Sequence, residues 1–163
     1  SKVLVAYYSA TGNTKAAAET IADAAGGELF ELQPAEAYTT EDLDYNDPES
    51  RVCKEHEDPD LQDVKLEEVT PESFPNAGVV FLGYPIWWGE AAWPVNEFVK
   101  ENDFTGKTVI PFCTSASSSL GDSGENLAEM AGTGEWQEGK RFSSGAAEEE
   151  IRNWVESLDL SAK

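Results

Sequence analysis

The stretch Val3-Leu4-Val5-Ala6-Tyr7-Tyr8-Ser9-Ala10-Thr11-Gly12-Asn13-Thr14 decides how this chain folds. Its first six residues form a nearly unbroken apolar run, the pattern of a strand buried on both faces of a parallel sheet. That strand is expected to end at Ser9. Three hydroxyls, an amide and a glycine then lead straight into a helix rich in small residues, Ala16, Ala17, Ala18, Ile21 and Ala22. The helix is predicted from about Gly12 to Ala25, with Gly26-Gly27 as its stop. Glu28-Leu29-Phe30-Glu31-Leu32 supplies a second strand, closed by Gln33-Pro34, so the chain opens as a βαβ unit.

Downstream the same alternation continues. Gly78 to Gly83 reads as a central strand, and Val95, Phe98 and Val99 place a helix with Pro94 near its first turn. Lys107 to Cys113 is the next strand, where Pro111 marks an edge, a bulge or an incomplete ladder. Asp122 or Ser123 can cap a helix carrying Leu127, Ala128, Met130 and Ala131. Lys140 to Ser143 makes a short edge strand, and Ser144 caps a last helix whose Ile151, Trp154, Val155 and Leu158 recur at i, i+3, i+4 and i+7. Strands alternating with helices predict an α/β sandwich with right-handed crossovers, in one domain spanning residues 1–163. Sites in such sheets form beyond the C-terminal strand ends, which here are Ser9 to Thr14, Tyr84 to Trp93 and Thr114 to Gly124.

Composition narrows the classes. The chain has 163 residues, with 32 Asp and Glu against 11 Lys and Arg, a net charge of −21. Hydrophobic residues make up 40% and include five Trp, too much apolar mass for a disordered acidic tail. Such a charge repels phosphate backbones and anionic headgroups, so nucleic acid and membrane surfaces are poor partners, while cationic partners remain open. No run approaches the roughly 18 apolar residues of a membrane span, and the opening residues lack a signal-peptide layout, which points to the cytoplasm. Cys53 and Cys113 lack the spacing of zinc or dithiol sites and fit a reducing compartment. No metal site is expected. Cys113, closing an apolar strand, reads as a buried thiol, and His56, alone in an acidic stretch, reads as solvated.

Each of the three loops has a chemistry. Ser9, Ala10, Thr11, Gly12, Asn13 and Thr14 suit a phosphate, because a helix N-terminus offers free N–H groups and partial positive charge with no need of Lys or Arg. A plain helix cap is the bland alternative, and it explains one hydroxyl where there are three. In Tyr84-Pro85-Ile86-Trp87-Trp88-Gly89, two adjacent indoles cannot both face the core from one extended segment. One of them faces outward or into a cleft, where a flat ligand could stack. Ser115, Ala116, Ser117, Leu120 and Gly121 belong to a Ser-rich loop that could meet a polar ligand edge or serve as a bare connector. Gly134 to Arg141 begins like a nucleotide-binding P-loop, but Arg141 stands where Mg²⁺ chemistry needs Ser or Thr, and the segment precedes the last strand. A phospho-receiver would need acidic residues at the end of the first strand, where Ser9 and Thr11 stand.

With these residues in view the sequence resembles the flavodoxin family, whose first loop has the form T/S-x-T-G-x-T, matched at Ser9, Thr11, Gly12 and Thr14. Tyr84 to Gly89, followed by Trp93-Pro94, looks like a subgroup with a Pro-Ile-Trp-Trp loop. The resemblance implies a flavodoxin-like, three-layer α/β/α sandwich around a five-stranded parallel sheet in the order 2-1-3-4-5. It implies non-covalent FMN as cofactor, with Ser9, Ala10, Thr11, Gly12, Asn13 and Thr14 on the phosphate, Pro85, Ile86, Trp87, Trp88 and Gly89 at the ring, and Ser115 to Gly121 on the pyrimidine edge. Many flavodoxins stack a Tyr from the third loop on the outer ring face. This loop has no aromatic, so stacking must come from Trp87 or Trp88, from Tyr38 or Tyr45, or from one face only.

The function implied is that of an electron carrier, one electron at a time and at low potential, with basic reductase and acceptor proteins as partners. An NAD(P)H-dependent quinone or flavin reductase of the same fold is the alternative enzyme reading, and a flavin-free interaction module is the other. The charge itself is uneven. Residues 34–75, between the second and third strands, hold 14 acidic and 3 basic residues, a net −11 of the −21. So long a link inside a compact domain is functional or disordered. It is expected to fold over the C-terminal edge of the sheet and steer basic partners, with generic acidity for solubility as the rival explanation.

Overall fold

The computed structural model describes residues 2–10, 12–88, 90–115, 121–143 and 146–158. Strand β1 (Lys2–Tyr7) leads into helix α1 (Asn13–Ala25), then β2 (Glu28–Glu31). The long link carries α2 (Arg51–Glu57) and two 3-10 turns, Pro59–Gln62 and Phe74–Asn76. Next come β3 (Ala77–Trp87), β4 (Glu90–Ala91), a 3-10 turn at Trp93–Val95, and α3 (Asn96–Glu101). The chain then forms β5 (Thr108–Ser115), α4 (Ser123–Ala131), β6 (Glu135–Trp136), β7 (Lys140–Ser143) and α5 (Glu148–Ser157).

The sheet runs β2-β1-β3-β5-β6, with β7 also on the outer edge of β5 and β4 folded back on the end of β3. All pairings are parallel except β3 with β4. Without the two-residue β4 and β6, this is the expected order of five, and Lys140–Ser143 is the expected edge strand. Two apolar clusters divide cleanly by strand alternation. Val5, Tyr7, Phe81, Ile110 and Phe112 face Ala18 and Ile21 of α1 and Ile151 and Val155 of α5. Leu4, Ala6, Val80, Leu82, Tyr84 and Val109 face Phe98 and Val99 of α3 and Leu127 of α4. Neighbouring residues on one strand thus serve opposite layers, and a fully buried side chain such as Ile21 contributes about 1.5–3 kcal/mol over its exposed state.

Three details differ from what the sequence led one to expect, and a fourth, at Pro111, is the incomplete ladder that it allowed. The third strand runs on to Trp87, because Tyr84 and Pro85 pair with Cys113 and Thr114 while Ile86 and Trp87 pair back onto Ala91 and Glu90. The last helix begins at Glu148 with Ala147 at its N-cap and no side-chain cap bond, and Ser144, the expected cap, lies outside the described residues. Asp122 occupies the N-cap of α4 with no side-chain cap bond, and the Ser123 hydroxyl instead meets Tyr84 Oη at 2.9 Å. Pro111 sits in the central β5. On the outer side β6 pairs with Thr108 and Val109 and β7 with Phe112 onward, which leaves Pro111 in a gap in the ladder. A Cβ on Gly139 would lie 2.0 Å from the Pro111 carbonyl oxygen, so the chain passes Pro111 there through a glycine.

Candidate functional site

The loop after β1 is built by Ser9. Its Oγ accepts hydrogen bonds from Gly12 N at 3.0 Å and Lys15 N at 3.2 Å, so one short side chain braces the entry to α1. Gly12 holds φ at +94°, a left-handed conformation that an L side chain rarely adopts. Asn13 starts the helix, and Thr14 is buried with its hydroxyl against Thr114 Oγ1. Helices α3, α4 and α5 each carry glutamate in the first turn, at Glu97, Glu125 and Glu148–Glu150, as the helix dipole favours. α1, like the shorter α2, has no acid there.

At the end of β3 the two indoles part. Trp87 is half-buried, edge-on to Tyr8 at 5.7 Å, Tyr38 at 5.6 Å and Trp93 at 4.9 Å. Trp88 leaves the strand with φ +49°, an unusual value for a bulky residue, and is 42% exposed. His56 stacks on it at 4.2 Å and 10°, so this histidine, although exposed, is a packing partner as well as a solvated group. Pro85 and Ile86 are half-buried strand residues.

Ser115 ends β5 and is held by Arg141, whose Nε donates to Ser115 Oγ at 3.0 Å and Nη2 to Ser115 O at 2.9 Å. Gly121, with φ +55°, lines a cleft of about 670 Å³ with Gly124, Pro111, Trp136 and Gln137. That cleft is distinct from those beside Ser9. Thr11, Gly89, Ala116, Ser117 and Leu120 lie outside the described residues.

Segment 34–75 packs onto the first two loops through Tyr38, whose ring is 6.2 Å from Tyr8. Two clefts share Ala10. One, of about 230 Å³, is lined by Tyr8, Ser9, Pro34 and Tyr38, and the other, of about 510 Å³, by Thr40, Leu43, Asp44 and Tyr45. Tyr45 is 71% exposed beside it. Under Tyr38 lies Glu55, buried, which accepts from Tyr38 Oη, from Arg51 Nε at 3.0 Å and from Trp93 Nε1 at 2.8 Å. Burial raises the pKa of Tyr8 and of Tyr38, the latter raised further by its bond to Glu55, so both rings remain phenols. Trp93 closes the expected loop Tyr84 to Trp93, whereas Glu55 and Arg51 were not expected at the site from sequence. The only local sign was the i,i+4 spacing of Arg51 and Glu55.

Among the described residues no helix is long and apolar enough to cross a membrane, and no group of His, Cys, Asp or Glu is placed to hold a metal ion. A family model described as Flavodoxin matches residues 2–158. A crystal structure from Bacteroides eggerthii, provisionally described as a flavoprotein, shares 40% identity over 96% of this chain and 97% of that one, with a TM-score of 0.85. A flavoprotein in complex with FMN from Lactobacillus acidophilus shares 21% identity over 86% and 92%, TM-score 0.59. Oxidised flavodoxin 2 from Bacillus cereus shares 17% identity over 99% of each chain, TM-score 0.62. The last two likenesses bear on fold alone. A comparison with curated proteins finds no match. The chain belongs to the flavodoxin family.

Proposed function

We propose that this chain binds FMN non-covalently and works as an electron carrier, one electron at a time and at low potential. The observation that carries the reading is the acid-free N-terminus of α1, entered through Ser9 and a left-handed Gly12, directly beside the aromatic cluster of Tyr8, Tyr38 and Trp87. This donor set fits a phosphate without a cation, and the neighbouring rings fit a flat heterocycle. Ser9, Thr11, Gly12, Asn13 and Thr14 would hold the phosphate. Trp87, with Tyr45 beside the cleft at Ala10, would meet the ring, since Trp88 already stacks on His56. Ser115, steadied by Arg141, begins the loop that would meet the pyrimidine edge. When bound, FMN supplies the redox chemistry, and the protein supplies binding and electrostatics.

The surrounding carboxylates oppose any added negative charge at the site, so the bound cofactor is expected to be harder to reduce than free FMN. Its partners would be basic reductase and acceptor proteins, drawn to segment 34–75. Titrating the cofactor-free chain with FMN and following flavin fluorescence tests binding, and the absence of saturation would sink the proposal. Rapid mixing of the FMN-loaded chain with NADPH separates carrier from reductase. A carrier stays oxidised until a separate reductase is added, whereas fast bleaching by NADPH alone would mark an enzyme.

A further inference from the structure

We infer that Glu55 is a positioning residue for the flavin ring and that its charge, set against Arg51, helps to fix the reduction potential. The inference rests on the FMN reading above. Glu55 is 6% exposed, in a segment whose other acids are mostly open to water. One of its carboxylate oxygens accepts from both Tyr38 Oη and Trp93 Nε1, and the other accepts from Arg51 Nε. Tyr38 and Trp93 are two of the rings that touch Trp87, at 5.6 Å and 4.9 Å, and Tyr38 also touches Tyr8, the residue before Ser9. A single carboxylate therefore sets the orientation of rings from two separate segments around the indole proposed to meet the flavin. An apolar side chain of that volume could fill the space, but it would fix no ring direction and would spare the protein the desolvation of a charge.

Arg51 is tied in as firmly. Its guanidinium lies 3.8 Å over the Tyr38 ring, and Nη1 donates to Glu36 O at 2.8 Å. With Glu55 it forms a pair that adds no net charge beside the ring. Removing either partner leaves the other uncompensated, and a lone cation and a lone anion act on a bound redox group with opposite sign.

The test uses the FMN-loaded full chain with E55Q, R51Q and E55A. The midpoint of E55Q should move up from wild type and that of R51Q down, while E55A should bind FMN at least about tenfold more weakly, the scale of one lost charged hydrogen bond. A purely structural role predicts shifts of the same sign in E55Q and R51Q, or none, and that result overturns the inference. So does an E55A chain whose near-ultraviolet circular dichroism is native and whose affinity equals wild type. If E55A does not fold, the opposed signs of the two conservative variants decide. Wild-type chain that takes up no FMN overturns the FMN reading and this inference with it, whereas FMN-binding wild type with same-sign shifts overturns this inference alone.

Discussion

Thr14 Oγ1 and Thr114 Oγ1 meet at 2.7 Å in the protein interior, a hydrogen bond between residues 100 positions apart. It joins the first turn of α1 to the last residues of β5, and so ties the proposed phosphate loop to the start of the third loop. Thr114→Val keeps the shape but leaves the Thr14 hydroxyl without this partner. A loss of about 1–3 kcal/mol is expected in urea denaturation, with weaker FMN binding alongside. The double variant Thr14→Val/Thr114→Val removes both hydroxyls and should recover much of that loss. A cycle in which the two losses simply add would show no coupling.

What the sequence made legible was local. The run Val3–Tyr8 and the hydroxyl turn after it dictate strand, turn and helix from neighbouring residues alone, and adjacent Trp87 and Trp88 had to diverge because strand residues alternate. What stayed hidden depends on distant partners. β3 runs four residues past Gly83 because β4 and β5 pair with that stretch, which no local pattern announces. Glu55 and His56 lie in a stretch whose hydropathy reads as solvent-facing. Only the convergence of Tyr38, Trp93 and Trp88 from elsewhere gives them packing roles.

Gly83 sits where β3 passes the Phe112 ring. A Cβ there would lie 2.2 Å from the ring, and Phe112 is itself fully buried and has little room to yield. Gly83→Ala should therefore destabilise by about 1–3 kcal/mol through overpacking. Thermal unfolding measures it, and an unchanged melting temperature would mean that the core is looser than its packing suggests.

The two thiols should differ sharply. Both are free, Cys53 half-buried on α2 and Cys113 fully buried in β5. Burial pushes the Cys113 thiol up to about 12, outweighing the opposite pull of Arg141, so it is neither accessible nor ionised near neutrality. Iodoacetamide at neutral pH should add one group to the native chain, at Cys53, and a second only in denaturant. Peptide mass spectrometry finding Cys113 labelled first would contradict this.

Electron exchange with a basic partner, under the proposed function, should slow as salt is added. Segment 34–75 carries net −11, and exposed charges are screened beyond about 10 Å at 0.1 M salt. Exposed Glu57 ends α2, the helix of the His56 that stacks on Trp88, and exposed Asp60 lies in the 3-10 turn just past it. E57Q/D60N should lower the association rate at low salt and flatten its salt dependence, with little change at high salt. Stopped-flow rates insensitive to salt in wild type would remove steering as the role of this segment.

Alkaline pH should weaken the fold, and the sign follows from buried acids. Burial raises Tyr7 to about 12 and Cys113 to about 12, and it also raises Tyr8, Tyr38 and Tyr84. The unfolded chain releases these protons near the ordinary values of 9.0 for the thiol and 10.0 for the phenols. Above those values it binds fewer protons than the folded chain, so the stability these groups contribute is complete below pH 9 and declines as pH rises towards 12. Lys107, held below its usual 10.5 by burial against partial compensation from Asp103, works in the opposite direction as one group against five. Tyr84→Phe isolates one contribution. Losing the Ser123 hydrogen bond should cost it about 1 kcal/mol at pH 7. Because the variant has no phenol to ionise at that position, its deficit against wild type should shrink above pH 10, and a deficit that stayed constant in urea denaturation to pH 11 would show that Tyr84 plays no part in the alkaline loss.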